Sequence, residues 1–220
     1  MVTTIISYSD GEGSGGVGVA VFNHPDHSRP QAGYLLIPQV FRDLWRNIEK
    51  KIQGASSYED IFQLEAVGPL MILETWPETL NTCCWIHWID NAAAQASLIS
   101  GSSSVYSGDL IAGETWRIIS QRRIYPWFER VESKSNPVDG LSRGERPASW
   151  DIVKLAFPRG LKRACKAFMK DNNLENQVDH YESQPFEEDP DPGIGGTMEG
   201  ALVHRAMCQA VGYDQNRSRS

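Results

Sequence analysis

The chain has 220 residues, 40% of them hydrophobic, seven tryptophans and a formal net charge of −7, which suits one domain of roughly 150 residues with an appendage. A pI near 5.3 speaks against a general nucleic-acid coat protein, whose affinity rests on net positive charge. No run of about 18 apolar residues predicts a transmembrane helix, and no basic stretch followed by a long apolar one predicts a signal peptide, so cytosol or nucleus is expected.

The first strand is expected over Met1 to Ser9, where Thr-Ile-Ile-Ser-Tyr-Ser is rich in β-branched and aromatic residues. It ends on Asp10, a glycine-rich turn follows, and Val17 to Phe22 reads as the returning strand of a hairpin. Gly11, Gly13 and Gly16 also fit G-x-G-x-x-G, but a dinucleotide fingerprint must open a helix, and here a strand pattern follows. Asn23 to Pro30 is a polar turn and Gly33 to Ile37 a third strand. Phe41, Leu44, Trp45, Ile48 and Ile52 recur at helical spacing.

After the break at Gly54 to Ser57, Ser57-Tyr-Glu-Asp approximates a capping box for a long helix running towards Trp76-Pro77. Gly68-Pro69 lies in its middle, where a proline removes a hydrogen bond. Thr82 to Ile89 is a near-continuous apolar run that predicts a central strand covered on both faces. Asp90-Asn91 caps a short helix over Ala92 to Ile99. A helix over Asp109 to Ile124, a strand over Trp127 to Val131 and a short helix beginning within Asn136-Pro-Val-Asp-Gly-Leu-Ser-Arg-Gly complete the pattern.

Beyond it the charge divides. Residues 151–170 hold six basic residues against Asp151, whereas residues 171–220 hold three basic against ten acidic. The expected organisation is a domain over 1–147, a basic helical extension over 148–170, and an acidic, largely disordered tail over 171–220. Pairing of tail with extension would be autoinhibitory. Cys83, Cys84, Cys165 and Cys208 show no metal-ligand spacing and read as incidental or buried thiols.

Four acids stand in promising settings: Asp10 at a strand end, Glu65 amid Leu64, Ala66 and Val67, Asp90 at the end of the apolar strand, and Asp139 in a helix first turn. Singly, each has an ordinary reading as a turn, cap or exposed helix residue. Jointly they match what phosphodiester cleavage needs. Two divalent ions about 3.5–4 Å apart activate a water and stabilise the leaving oxyanion, and hard ions take carboxylate oxygens.

Four blocks carry a family resemblance: Tyr-Ser-Asp10-Gly with its glycine-rich hairpin, Gln63-Leu-Glu65-Ala, Trp88-Ile-Asp90-Asn-Ala-Ala-Ala, and Ser135-Asn-Pro-Val-Asp139-Gly-Leu-Ser-Arg143. Over about residues 3–146 the chain resembles the ribonuclease H domain of retroelement reverse transcriptases of the long-terminal-repeat and tyrosine-recombinase types. The resemblance implies a ribonuclease H-like α/β fold, a mixed five-stranded sheet with helices on both faces. It also implies hydrolysis of the RNA strand of RNA/DNA hybrids with two Mg2+ or Mn2+ ions held by Asp10, Glu65, Asp90 and Asp139. A polymerase domain in a larger polyprotein would be a natural partner. Substrate contacts are expected from Gly11, Gly13, Asn91 and Arg143. Many family members carry a histidine in the loop before the last aspartate; Ile124 to Val138 contain none.

Two rival readings have distinct signatures. Asp10-Gly-Glu12 matches the Asp-x-Glu of proofreading-type exonucleases, but their histidine or tyrosine before the last aspartate is replaced here by Lys134 and Ser135. A decayed or repurposed module that binds nucleic acid or protein would have no use for a cluster of like charges, which costs stability.

Overall fold

The computed structural model of the chain describes residues 2–25, 28–54, 60–155, 157–163 and 170. β1 (Thr4–Gly11), β2 (Gly16–Phe22) and β3 (Gln31–Leu36) form an antiparallel meander. Then come α1 (Gln39–Gln53), α2 (Ile61–Thr75), β4 (Cys84–Ile89), α3 (Ala92–Ser100), α4 (Tyr106–Gln121) and β5 (Tyr125–Arg130). A single 3-10 turn at Ser133–Ser135, α5 (Asp139–Ser142) and β6 (Asp151–Ile152) complete the order. The result is a mixed α/β architecture with the strand order β5-β4-β1-β2-β3-β6. β4 lies parallel to both β1 and β5.

The expected five strands are thus joined by a sixth of two residues, which pairs parallel with β3 at Gln31 and Ala32. This also alters the reading of residues 148–170. The segment opens with β6 rather than a helix, and among its described residues 159–163 and 170 are helical. Leu155, Phe157 and Leu161 are buried in the main core, with the Phe157 ring stacked on Phe41 at 4.0 Å. Basic residues drew attention to this stretch, but its apolar residues place it against the domain. Residues 171–220 and the pairing proposed for them lie outside the described residues, as do Cys165, Cys208 and most of the Ser57-Tyr-Glu-Asp box.

Helices α1 to α4 cover one face of the sheet, contributing to a core that includes Ile5, Val17, Val19, Trp85 and Ile89. Among the described residues, the other face carries only α5 and a smaller cluster of Ala20, Ala32, Val138 and Leu141. Helices therefore do lie on both faces, but very unequally. β4 shows the consequence, because its burial alternates instead of being complete: Trp85, His87 and Ile89 are buried, and Cys84, Ile86 and Trp88 half-buried. The apolar residues on the open side make a sheet-surface aromatic cluster, in which Tyr8 stacks on Trp88 and meets Phe22 edge-on. This cluster mimics the pattern of a doubly covered strand.

Helix α2 is unbroken through Gly68 and Pro69. Gly68 is what allows it to lie on β1: a Cβ there would come within 2.4 Å of the Ser9 Cβ. Gly68→Val should therefore force α2 off the sheet and lower stability by about 3 kcal/mol, the scale of an overpacked core. Thermal melting checks this, and a wild-type melting temperature would show that the contact yields freely.

Two helix starts are set by residues far away in sequence. Asp60 precedes α2 without capping it; its carboxylate instead receives Nε and Nη2 of Arg42 at 2.5 and 2.9 Å. Arg42 also donates to the Ser14 and Gly13 carbonyls at 2.7 and 2.8 Å, so one buried guanidinium ties α1 and α2 to the β1–β2 turn. Helix α4 begins at Tyr106, three residues before the expected Asp109, because Glu49 of α1 accepts from the Ser107 N–H at 2.7 Å.

Candidate metal centre

β1 and β4 run parallel, with Tyr8 opposite Trp88. Carrying that register two residues on sets Asp10 beside Asp90, so both carboxylates leave the sheet at the same end. Helix α2 supplies the third. Gly11 makes the approach possible, since a Cβ on it would sit 2.8 Å from the Glu65 nitrogen. The carboxylate oxygens offered by Asp10, Glu65 and Asp90 all lie within 4.8 Å of one another. Asp10 and Glu65 are 5% and 3% exposed, so water does little to screen their mutual repulsion.

Protonation reflects that setting. Burial pushes Glu65 up to about 10, reinforced by the charges of Asp90 and Asp10 and by a hydrogen bond with Asp90, while the Gly11 N–H acts in the opposite sense. Asp10 is raised to about 6, first by burial; the Ser142 hydroxyl and the more distant Arg143 pull it down, and Asp90 and Asp139 push it up. Glu65 Oε2 is buried and faces no hydrogen-bond donor. An all-oxygen trio with an undonated buried oxygen fits a hard divalent cation, for which carboxylates are the usual ligands.

The trio opens into a cleft of about 310 Å³ whose lining includes Glu12, Asn91, Asp139 and Arg143. Asp139 shares the cleft but stands outside the trio: both its oxygens are taken by Arg143, at 2.6 and 2.7 Å. Its backbone is held by Val138 and Leu141, which are buried under the sheet. Gly18 is required there, since a Cβ would meet the Ser142 nitrogen at 2.7 Å and lift α5 from β2.

The expected substrate residues fare differently. Gly11 lines the cleft but is buried, and its N–H serves Glu65. Gly13 is exposed in the turn, outside the cleft lining, with its carbonyl on Arg42. Asn91 caps α3, its side-chain oxygen accepting from Ala93 and Ala94 at 3.0 Å each. Arg143 is at the cleft, committed to Asp139. Glu12, the second acid of the exonuclease motif, accepts from the Ser14 backbone at 2.9 Å and from its hydroxyl, and so serves the turn.

Sequence reasoning missed Asn136 and Ser142. The buried Asn136 amide donates to the Ser9 carbonyl at 2.9 Å and to Asp10 Oδ1 at 3.3 Å, holding the loop before α5 to the end of β1. Both residues lie in the motif block around Asp139, but nothing in their spacing indicates that they reach Asp10. His87, three residues before Asp90, is no substitute for a loop histidine. It is fully buried between Ser7 and Ser9 at 2.8 and 3.1 Å, and burial lowers it to about 3, leaving a neutral ring.

Among the described residues no helix is long and apolar enough to cross a membrane. Comparison with protein-family models, with curated proteins and with solved structures finds no match.

Proposed function

We propose that this chain is a metal-dependent nuclease of the ribonuclease H type, hydrolysing the RNA strand of RNA/DNA hybrids in a retroelement setting. The observation that carries the reading is the convergence of Asp10, Glu65 and Asp90 from two parallel strand ends and one helix, with a buried Glu65 oxygen that faces no donor. The meander followed by parallel β4 and β5, and the four motif blocks falling at strand and helix ends around one cleft, support it further.

Asp10, Glu65 and Asp90 would hold a divalent ion, and Asp139 would contribute to a second. Bound Mg2+ or Mn2+ would supply an activated water and neutralise charge on the phosphate and leaving oxygen. The chain's own groups account for the rest. Five acids and one arginine among the lining residues repel a bare polyanion, so the apo cleft discriminates against phosphate until cations are present. Asn136 orients Asp10 by a hydrogen bond, and the Ser142 hydroxyl donates to the Asp139 carbonyl within α5. The nucleophile in this reading is water, with no covalent intermediate.

Cleavage of an end-labelled RNA/DNA hybrid with Mg2+ or Mn2+ tests this, with Asp90→Asn as the control. Metal-dependent internal cuts in the RNA strand that Asp90→Asn removes are the expected result. A folded protein that cuts in neither metal would point instead to a module retaining the fold without the chemistry.

A further inference from the structure

The fourth acid is not simply a distant member of the cluster. Asp139 is occupied. Arg143 Nη1 donates to its Oδ2 at 2.6 Å and Nη2 to its Oδ1 at 2.7 Å, so both oxygens face a cation that is itself part of the cleft wall. The backbone of α5 cannot make up the difference. Val138, Leu141 and Ser142 are fully buried or nearly so, and α5 lies flat on β2 at Gly18. What remains free is the side-chain pair, since Asp139 and Arg143 retain 34% and 53% side-chain exposure.

We propose that Arg143 is a latch: it withholds Asp139 from the metal site until a phosphate of the substrate draws the guanidinium away. This rests on the metal-centre reading given above and extends it to the order of assembly. Guanidinium pairs in the same forked geometry with carboxylate and with phosphate, so a phosphate entering the cleft competes directly for it. Once Arg143 turns to the phosphate, Asp139 regains two free oxygens and the cleft loses a positive charge beside the ion site. The first ion then binds to Asp10, Glu65 and Asp90 in the resting protein, and the second binds together with substrate. By linkage the substrate tightens the second ion and the second ion tightens the substrate by the same factor. A nuclease so arranged completes its centre only on a phosphate backbone.

Mn2+ binding to the full chain, followed by calorimetry and by the electron paramagnetic resonance signal of free Mn2+, tests the latch without relying on turnover. The wild type should show one Asp10-dependent site and a weaker second event that Asp139→Asn removes. Arg143→Gln should tighten the second event roughly two- to fivefold, the scale of one exposed ion pair, and change the first far less. Adding a 2′-O-methyl RNA/DNA hybrid, which resists cleavage, should tighten the second event in the wild type and do so much less in Arg143→Gln. Identical isotherms for the wild type and Arg143→Gln, with the Asp10-dependent site present, would overturn the latch alone. Mn2+ binding that survives Asp10→Asn unchanged would overturn the metal centre and the latch with it.

Discussion

Replacing Asp10 with asparagine is expected to raise the melting temperature of the metal-free protein at pH 8 and, in the same variant, to cut hybrid cleavage by orders of magnitude. The two effects share one cause. Asp10 is raised from 3.8 to about 6 in the folded protein, chiefly by burial. Between those values the native state holds a proton that the unfolded chain has released, so stability falls as pH rises through the window and the whole penalty is present above pH 6. At pH 8 it is worth roughly 2–3 kcal/mol, and a neutral amide removes it. The expected gain is about 4–10 °C at pH 8, shrinking towards nothing near pH 4. With Mg2+ the order reverses: the wild type should gain stability from the ion and the variant should not. Cleavage should fall by about a hundred- to a thousandfold, the scale of several kcal/mol of lost charge stabilisation. Melting curves at both pH values, with and without Mg2+, decide the matter. A variant that melts like the wild type at pH 8 and still responds to Mg2+ would mean that Asp10 is not a ligand.

Such trade-offs explain which parts of this molecule could be read from its sequence. An acid at the end of an apolar strand is conspicuous, and Asp10 and Asp90 stood out for that reason. That they face each other depends on the parallel pairing of β1 with β4, two strands about 80 residues apart whose register no local pattern states. Glu65 drew notice as a charge among apolar neighbours, yet the glycines that bring it to Asp10 are read locally as turn and helix-breaking residues. Gly68 looked like a flaw in α2 and is the reason α2 fits.

Charged residues that hold elements together were the hardest to foresee. Asp60 reads as part of the Ser57-Tyr-Glu-Asp capping pattern, and nothing local singles out Arg42, yet the two form a buried pair across α1, the α2 start and the β1–β2 turn. Glu49 sets the start of α4 from another helix, so a search for a local cap places that boundary too late. Asp139 and Arg143 are four residues apart within one motif, and the motif announces a ligand without showing that its own arginine occupies it. Residues 151–170 read as a basic extension because of six lysines and arginines, a count that says nothing of Leu155, Phe157 and Leu161, which the core uses. In each case the missing information is a contact between distant parts of the chain, and local periodicity does not encode it.

The affinity of the Asp10–Glu65–Asp90 site for a divalent ion should climb steeply with pH. Glu65 is raised to about 10 by burial and by Asp90 and Asp10, so at neutral pH the metal-free protein carries a proton there. A carboxyl group must lose that proton to coordinate a cation, and ion binding therefore releases it. Below the folded value of about 10, each unit of rising pH favours the proton-free, ion-bound state about tenfold; above it the gain ends. Asp10, raised to about 6, adds a second released proton below that pH and steepens the dependence further. Mn2+ calorimetry from pH 5.5 to 9 in buffers of different ionisation enthalpy measures both the slope and the protons released. Roughly one proton per first-site ion is expected between pH 7 and 9, and approaching two at pH 5.5. Glu65→Gln should bind Mn2+ more weakly at pH 9 and lose the slope above pH 7, because it removes the ligand and its proton together. A wild-type affinity that stays flat from pH 7 to 9, with one ion bound, would show that Glu65 keeps its proton and that the ion is held by the aspartates alone.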